Sequence, residues 1–164
     1  MLSLLLVTGV SACSPEDYPP DPEVPEQPVY PDEDDKPGEP ENPADPDRPG
    51  MRIRIGNAVF TATLQDNATA KALRGLLPMK VNMSELNNNE KYYYLLSALP
   101  TDASAPGTIR SGEIMLYGSD CLVLFYKTFS TGYRYTRIGA IDDPAGLENA
   151  LGGSSVVVSL ETVE

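Results

Sequence analysis

The sequence predicts a mostly β domain, a closed β-barrel capped by two short helices, and three observations carry that prediction. Gly112 to Lys127 reads GEIMLYGSDCLVLFYK, two apolar, β-branched or aromatic runs of strand length joined by the turn-forming Gly118-Ser119-Asp120. Within the second run Cys121, Val123 and Phe125 point to one face while Leu122, Leu124 and Tyr126 point to the other. Both faces then need cover, as in a central strand of a closed or packed sheet. Around this hairpin, short β-type segments run through the rest of the domain, interrupted by only two brief helix signals.

Composition divides the 164 residues before these elements begin. Residues 1 to 12, MLSLLLVTGVSA, form an apolar run too short to span a bilayer and end in small residues directly before Cys13. Val10-Ser11-Ala12-Cys13 resembles the bacterial lipobox, in which an aliphatic residue, two small residues and an acceptor Cys are read by the lipoprotein-processing enzymes. The resemblance implies a signal peptide over 1–12, acylation of Cys13 and a membrane partner reached through that lipid anchor. No Lys or Arg follows Met1, as expected if the true start lies upstream. Acyl chains contribute about 0.8 kcal/mol per buried methylene, so several chains anchor a protein stably.

Residues 13 to 50 are expected to form an acidic, Pro-rich, disordered stalk carrying the lipidated Cys13. Residues 14–50 hold 12 of the 16 prolines and 13 of the 24 acidic residues against two basic ones, a net charge of −11. Proline removes backbone donors and like charges repel, so such a stretch cannot bury enough apolar area to offset its ordering. If it is largely polyproline-like, at about 3.1 Å per residue it reaches on the order of 100 Å. Glu16 and Asp17 resemble the acidic signals that route some Gram-negative lipoproteins to the outer face of the outer membrane, and equally they open an acidic stalk. The expected location is the cell envelope, as an outer membrane lipoprotein, with surface exposure left open.

The domain spans 51–164 and holds 11 acidic and 10 basic residues, a net charge of −1. With no basic patch and a repelling stalk, nucleic acid is excluded as a partner. Met51, Ile53 and Ile55 alternate with Arg52 and Arg54, Gly56-Asn57 turns the chain, and Ala58 to Leu64 completes a hairpin. Asp66 or Asn67 can cap a helix through Ala70, Leu73, Leu76 and Leu77 that Pro78 stops. Met79 to Met83 alternates like an edge strand, Tyr92 to Leu96 suits strand or helix, and Pro100 to Pro106 reads as a loop. Beyond the central hairpin, Thr128 to Tyr133 reads as a loop and Tyr135 to Ile141 as a strand. Asp143-Pro144 opens a short helix, with the Asp142-Asp143 pair a cap rather than catalytic carboxylates. Gly152-Gly153 ends that helix, and Ser155 to Val163 is the closing strand.

SGEIMLYGSDCLVLFYK, YTRIGAIDDPAGLENALGG and the final β run together resemble the bacterial cyclophilin-like proteins, small relatives of the cyclophilin barrel, over roughly residues 51 to 163. In cyclophilins a capped helix follows the first hairpin, as Asn67 to Arg74 does here. A paired-Phe strand corresponds to Cys121 to Tyr126. A strand ending in Phe-Gly-Lys-Val precedes a short helix, as Ile138-Gly139-Ala140-Ile141 does here. The resemblance implies the barrel fold and a ligand groove.

It does not carry over the prolyl isomerase site. The isomerases share a Phe-His-Arg motif, a Gln-Gly-Gly-Asp motif, a groove Trp and a groove His, and this chain has no His and no Trp. Tyr135 falls where the groove His stands. Arg110 and Arg137 are available cations outside the family's catalytic motif. Lack of His removes Ser-His and Cys-His nucleophile pairs and the commonest metal ligands, and no phosphate-cradling Gly-rich motif occurs, so neither a metal nor a cofactor is expected. Once Cys13 is acylated, Cys121 has no partner for a disulfide, and its apolar neighbours make it a small core residue.

What the domain has in abundance is tyrosine, which combines flat apolar area with a hydroxyl and suits recognition of a peptide or glycan. Tyr126, Tyr133, Tyr135 and Arg137 are the ligand-binding candidates; no residue is assigned a catalytic role. The function expected is that of a membrane-anchored envelope lipoprotein whose domain binds a peptide, glycan or envelope protein. A weak peptidyl-prolyl cis-trans isomerase and a structural docking subunit of an envelope complex are the alternatives.

Overall fold

The computed structural model describes residues 49–163; the expected signal peptide, Cys13 and the stalk up to residue 48 lie outside the described residues. β1 (Gly50–Ile55) and β2 (Ala58–Leu64) form the first hairpin, turned by Gly56 at φ +57°, a left-handed conformation that glycine adopts without steric cost. Then follow α1 (Ala68–Arg74), β3 (Met79–Leu86), β4 (Glu90–Tyr94), β5 (Thr108–Ile109), β6 (Glu113–Tyr117), β7 (Cys121–Phe125), β8 (Phe129–Ser130), β9 (Thr136–Ile141), α2 (Leu147–Leu151) and β10 (Val156–Val163). Eight strands close into a barrel in the order β1-β10-β3-β4-β7-β6-β9-β2, with β2 returning to β1 and β5 pairing with β8 as a separate ribbon.

The expected mostly β barrel with two short helices is thus the observed fold. The central hairpin lies in the wall, β7 paired to β4 on one side and β6 on the other, with every β7 residue buried. Leu122 and Leu124 face the interior with Met51, Ile53, Leu64 and Met83, whereas Cys121, Val123 and Phe125 join a second apolar cluster on the outer wall. The interior is packed by side chains, and a void of only about 10 Å³ remains among Met51, Ile53, Met83 and Leu122. Small barrels are filled in this way, so the space for a ligand has to lie elsewhere. Ala70 and Leu73 of α1 and Leu147 and Leu151 of α2 belong to the interior cluster, so the helices plug the barrel. Each Leu buried there contributes about 1.5–3 kcal/mol relative to exposure.

Several expectations are corrected. β3 is not an edge strand, because it pairs with β10 and β4, and closure leaves the barrel no free edge. α1 is capped by Asn67, whose Oδ1 accepts from the Ala70 N–H at 2.8 Å, but it stops at Arg74 rather than continuing to Leu77. Gly75 destabilises a further turn, and the Leu76 and Leu77 amides donate to Leu73 and Arg74 in the tighter i to i+3 pattern. α2 starts at Leu147, three residues later than Asp143-Pro144 suggests. Asp143 instead accepts from the Ala145 N–H at 2.9 Å, a local turn, and Asp142 accepts from the Thr63 hydroxyl at 2.6 Å. Thr128 to Tyr133, expected as a loop, contains β8, held by Ile109 and Phe129 packing on the outer cluster.

Candidate functional site

A groove of about 450 Å³ lies on the outer wall of the barrel, across β4 and β7. That volume falls within the range of small-molecule and peptide side-chain pockets, about 300–1,000 Å³. Strand alternation supplies one side: on β4, Lys91 and Tyr93 turn inward while Glu90, Tyr92 and Tyr94 turn outward to line it. Cys121 and Val123 of β7 form its floor, and Tyr117 closes the end of β6. The far wall comes from β8 and the segment that follows it, through Phe129, Thr131, Tyr133 and Tyr135. Leu86, Asn87 and Asn89 enter from the β3–β4 turn, where Asn87 and Asn88 both sit at φ +54°, a conformation that Asn tolerates better than most residues.

The aromatic rings form two groups. Tyr92 and Tyr94 meet edge to face, 5.8 Å apart at 78°. Tyr117 meets Tyr133 at 6.1 Å and 88°, and Tyr135 at 5.5 Å and 52°. Behind them, Phe125 packs against Tyr135 and Phe129, with centroids 5.5 and 5.7 Å away, and so fixes the far wall on the barrel. The bridge between Ser104 and Tyr135, N–H to carbonyl in both directions at 2.9 Å, holds the same segment from its other side.

The polar groups are few and unusual. Glu90 is 8% exposed, and among the described residues no hydrogen bond or ion pair reaches its carboxylate. Burial, and after it the charge of Glu85, pushes its pKa up. The neighbouring Asn89 has its amide Oδ1 buried without a hydrogen-bond partner. Burial and then the Glu90 charge push the Tyr135 hydroxyl to about 12. The Cys121 thiol is also pushed up, by burial first and then by Asp120 and Glu90, so it stays protonated and unreactive at neutral pH. No residue lining the groove is Lys or Arg.

Of the sequence-stated candidates, Tyr133 and Tyr135 come together in this groove, and Tyr126 and Arg137 do not line it. Tyr126 is buried with the barrel interior, and its hydroxyl donates to Glu85 Oε1 at 2.9 Å. Burial, and after it that hydrogen bond, pushes its pKa to about 12. Arg137 is exposed and ion-paired with Glu113, whose other oxygen accepts from the Arg110 N–H at 2.7 Å. Sequence reasoning missed Glu90, Asn89 and the outward pair Tyr92 and Tyr94. Once Glu90 to Tyr94 is a strand, period-two alternation puts Glu90, Tyr92 and Tyr94 on one face, so the signal was present but waited on the choice between strand and helix.

A closed eight-stranded barrel plugged by two helices, with its concavity on the outer wall, defines a cyclophilin-type barrel domain. The chain belongs to the Cyclophilin-like family, which matches it over residues 53–161. Among solved structures, the solution structure of the hypothetical protein AF2241 from Archaeoglobus fulgidus is similar in fold. It is 19% identical, with a TM-score of 0.55 over 70% of this chain and 94% of that one. A comparison with curated proteins gives no match.

Proposed function

We propose that the domain is a peptide-binding module whose ligand lies in the tyrosine-lined outer groove, and that it does not catalyse prolyl isomerisation. The single observation carrying this reading is the convergence of five tyrosines and one carboxylate, unpartnered among the described residues, on a concavity outside a filled barrel. Rigid aromatic side chains supply contact area at small entropic cost, as at the energetic centres of protein interfaces. The lack of His and Trp, and the engagement of Arg137 with Glu113 away from the groove, both speak against the isomerase alternative. In this reading Cys13 carries a lipid anchor that attaches the protein to the outer membrane.

The test is an NMR titration of the full chain with a panel of short peptides and oligosaccharides. Amide shifts confined to Tyr92, Tyr94, Tyr133 and Tyr135 are expected with peptides. A groove that responds to no peptide, or only to oligosaccharides, would overturn the reading. In the same samples, cis/trans exchange of a proline peptide should stay at its uncatalysed rate, tens of seconds or slower.

A further inference from the structure

We propose that the groove selects ligands carrying an organic cation, an alkylammonium or guanidinium group, seated on the Glu90 carboxylate between the tyrosines. The inference rests on the groove being the binding site and adds the chemistry of what enters it.

A carboxylate removed from water is costly unless it is paired, and proteins ordinarily supply the pair themselves. Glu90 is more than nine-tenths buried as a residue, yet it has neither a hydrogen bond nor an ion pair among the described residues, and its carboxylate oxygens are open only to the groove that it lines. Among the described residues no cation answers it, since those that line the groove include no Lys or Arg. The next buried charge along the strand, Lys91, faces away and uses its ammonium on Glu85 and on the Gly152 and Ser154 carbonyls. Asn89 repeats the pattern with a buried amide oxygen that accepts nothing. The acceptor that the lining leaves open is therefore the Glu90 carboxylate, which is complementary to a group that is all donor.

The aromatic lining points the same way. A cation over the face of a tyrosine is attracted by the ring quadrupole, the more so when desolvated. Tyr92 with Tyr94, and Tyr117 with Tyr133, are crossed at 78° and 88°, so within each pair the ring faces turn in different directions. Walls of this kind around one carboxylate surround a cation from several sides. Such a group comes either from a Lys or Arg side chain of a peptide or from a small free ammonium compound, and the two share the chemistry proposed.

The experiment titrates the full chain with acetyl-Gly-Arg-Gly-amide, with its citrulline counterpart, which keeps the shape without the charge, and with methylammonium chloride, following groove amide shifts by NMR. The Arg peptide is expected to bind at least about tenfold more tightly than the citrulline peptide, a difference that collapses in Glu90→Gln. Tyr92→Leu should weaken the Arg peptide while leaving the thermal midpoint little changed, and Glu90→Gln should unfold no earlier than the parent at pH 7, so lost binding in either is not lost folding. Saturable groove shifts from methylammonium at concentrations comparable to the peptide assign the cation to a free compound; shifts from the Arg peptide alone assign it to a side chain. Both support the proposal. Equal affinity for the Arg and citrulline peptides in the groove would overturn it and leave the peptide-binding reading standing. Groove amides that respond to none of the three probes would overturn it, and a groove equally silent to the whole peptide panel would overturn the peptide-binding reading too.

Discussion

Glu90 and Lys91 are neighbours on β4 that carry their charges to opposite sides of the barrel wall, one with no partner among the described residues and the other with three. Lys91 is fully buried, and its Nζ donates to Glu85 Oε2, to the Gly152 carbonyl at 2.8 Å and to the Ser154 carbonyl at 2.6 Å. Three donors meet three acceptors, which is what allows an ammonium to sit inside a fold. The same contacts tie β4 to the segment between α2 and β10. Glu90, one residue earlier, opens onto the groove. Strand alternation makes the division unavoidable: adjacent residues on β4 cannot share a face.

Lys91→Met keeps most of the volume and removes the charge, leaving two carbonyls without their donor and Glu85 with the Tyr126 hydroxyl but no cation. The expected cost is about 3 kcal/mol, read from urea unfolding, because removing one partner of a buried pair leaves the other uncompensated. Adding Glu85→Gln to Lys91→Met should recover part of that loss. Additive losses from the two substitutions would show that the pair does not act as a unit.

The two carboxylates should affect stability with opposite signs across pH. Burial works to raise the Glu85 pKa, but hydrogen bonds from Lys91 and Tyr126 and the Lys91 charge outweigh it, and the net shift is downward from 4.5. Its stabilisation is therefore present above pH 4.5 and lost as pH falls through the folded value, so Glu85→Gln should flatten the acid limb. Glu90 is raised from 4.5, by burial first and then by the charge of Glu85 across the wall, and its own charge acts on Cys121 of β7, Tyr126 just beyond β7 and Tyr135 before β9. Folding becomes less favourable as pH rises from 4.5 through its folded value, so Glu90→Gln should stabilise the protein at pH 7 and change little below pH 4.5. Thermal midpoints measured from pH 3 to 8 check both signs.

Gly139 lies on β9 opposite Leu64 of β2, and a methyl group built on it would stand 2.4 Å from the Thr63 carbonyl oxygen and 3.1 Å from the Leu64 Cα. Backbone cannot give way as a side-chain tip can. Gly139→Ala is expected to cost about 1–3 kcal/mol, the usual range for overpacking. A melting temperature within error of the parent would mean that the β2–β9 seam is looser than its geometry.

Anchoring is tested at Cys13, outside the described residues. Cys13→Ala is expected to abolish incorporation of labelled fatty acid and to release the protein from the membrane fraction. Continued acylation of the variant would end the lipoprotein proposal.

Local order was legible from residues alone wherever it depends on neighbours in the chain. The turn chemistry of Gly56-Asn57 and of Gly118-Ser119-Asp120, together with the doubly apolar run from Cys121 to Phe125, determined two hairpins and a strand covered on both faces. The composition of residues 14–50 likewise determined where the acidity lies. These are short-range signals with a period of two, and turn geometry does not wait for the rest of the fold.

Which face becomes inside was decided only by closure. Tyr126 and Tyr135 are equally plausible groove residues as letters, yet one ended in the barrel and the other on its outer wall. That assignment follows from pairings between segments distant in the chain, such as β4 with β7 and Ser104 with Tyr135. The loneliness of Glu90 is of the same kind. A charged residue in a strand reads as a fully solvated one until β8 and the segment after it fold across the wall and cover most of it, because burial belongs to the packing of distant elements and not to the residue itself.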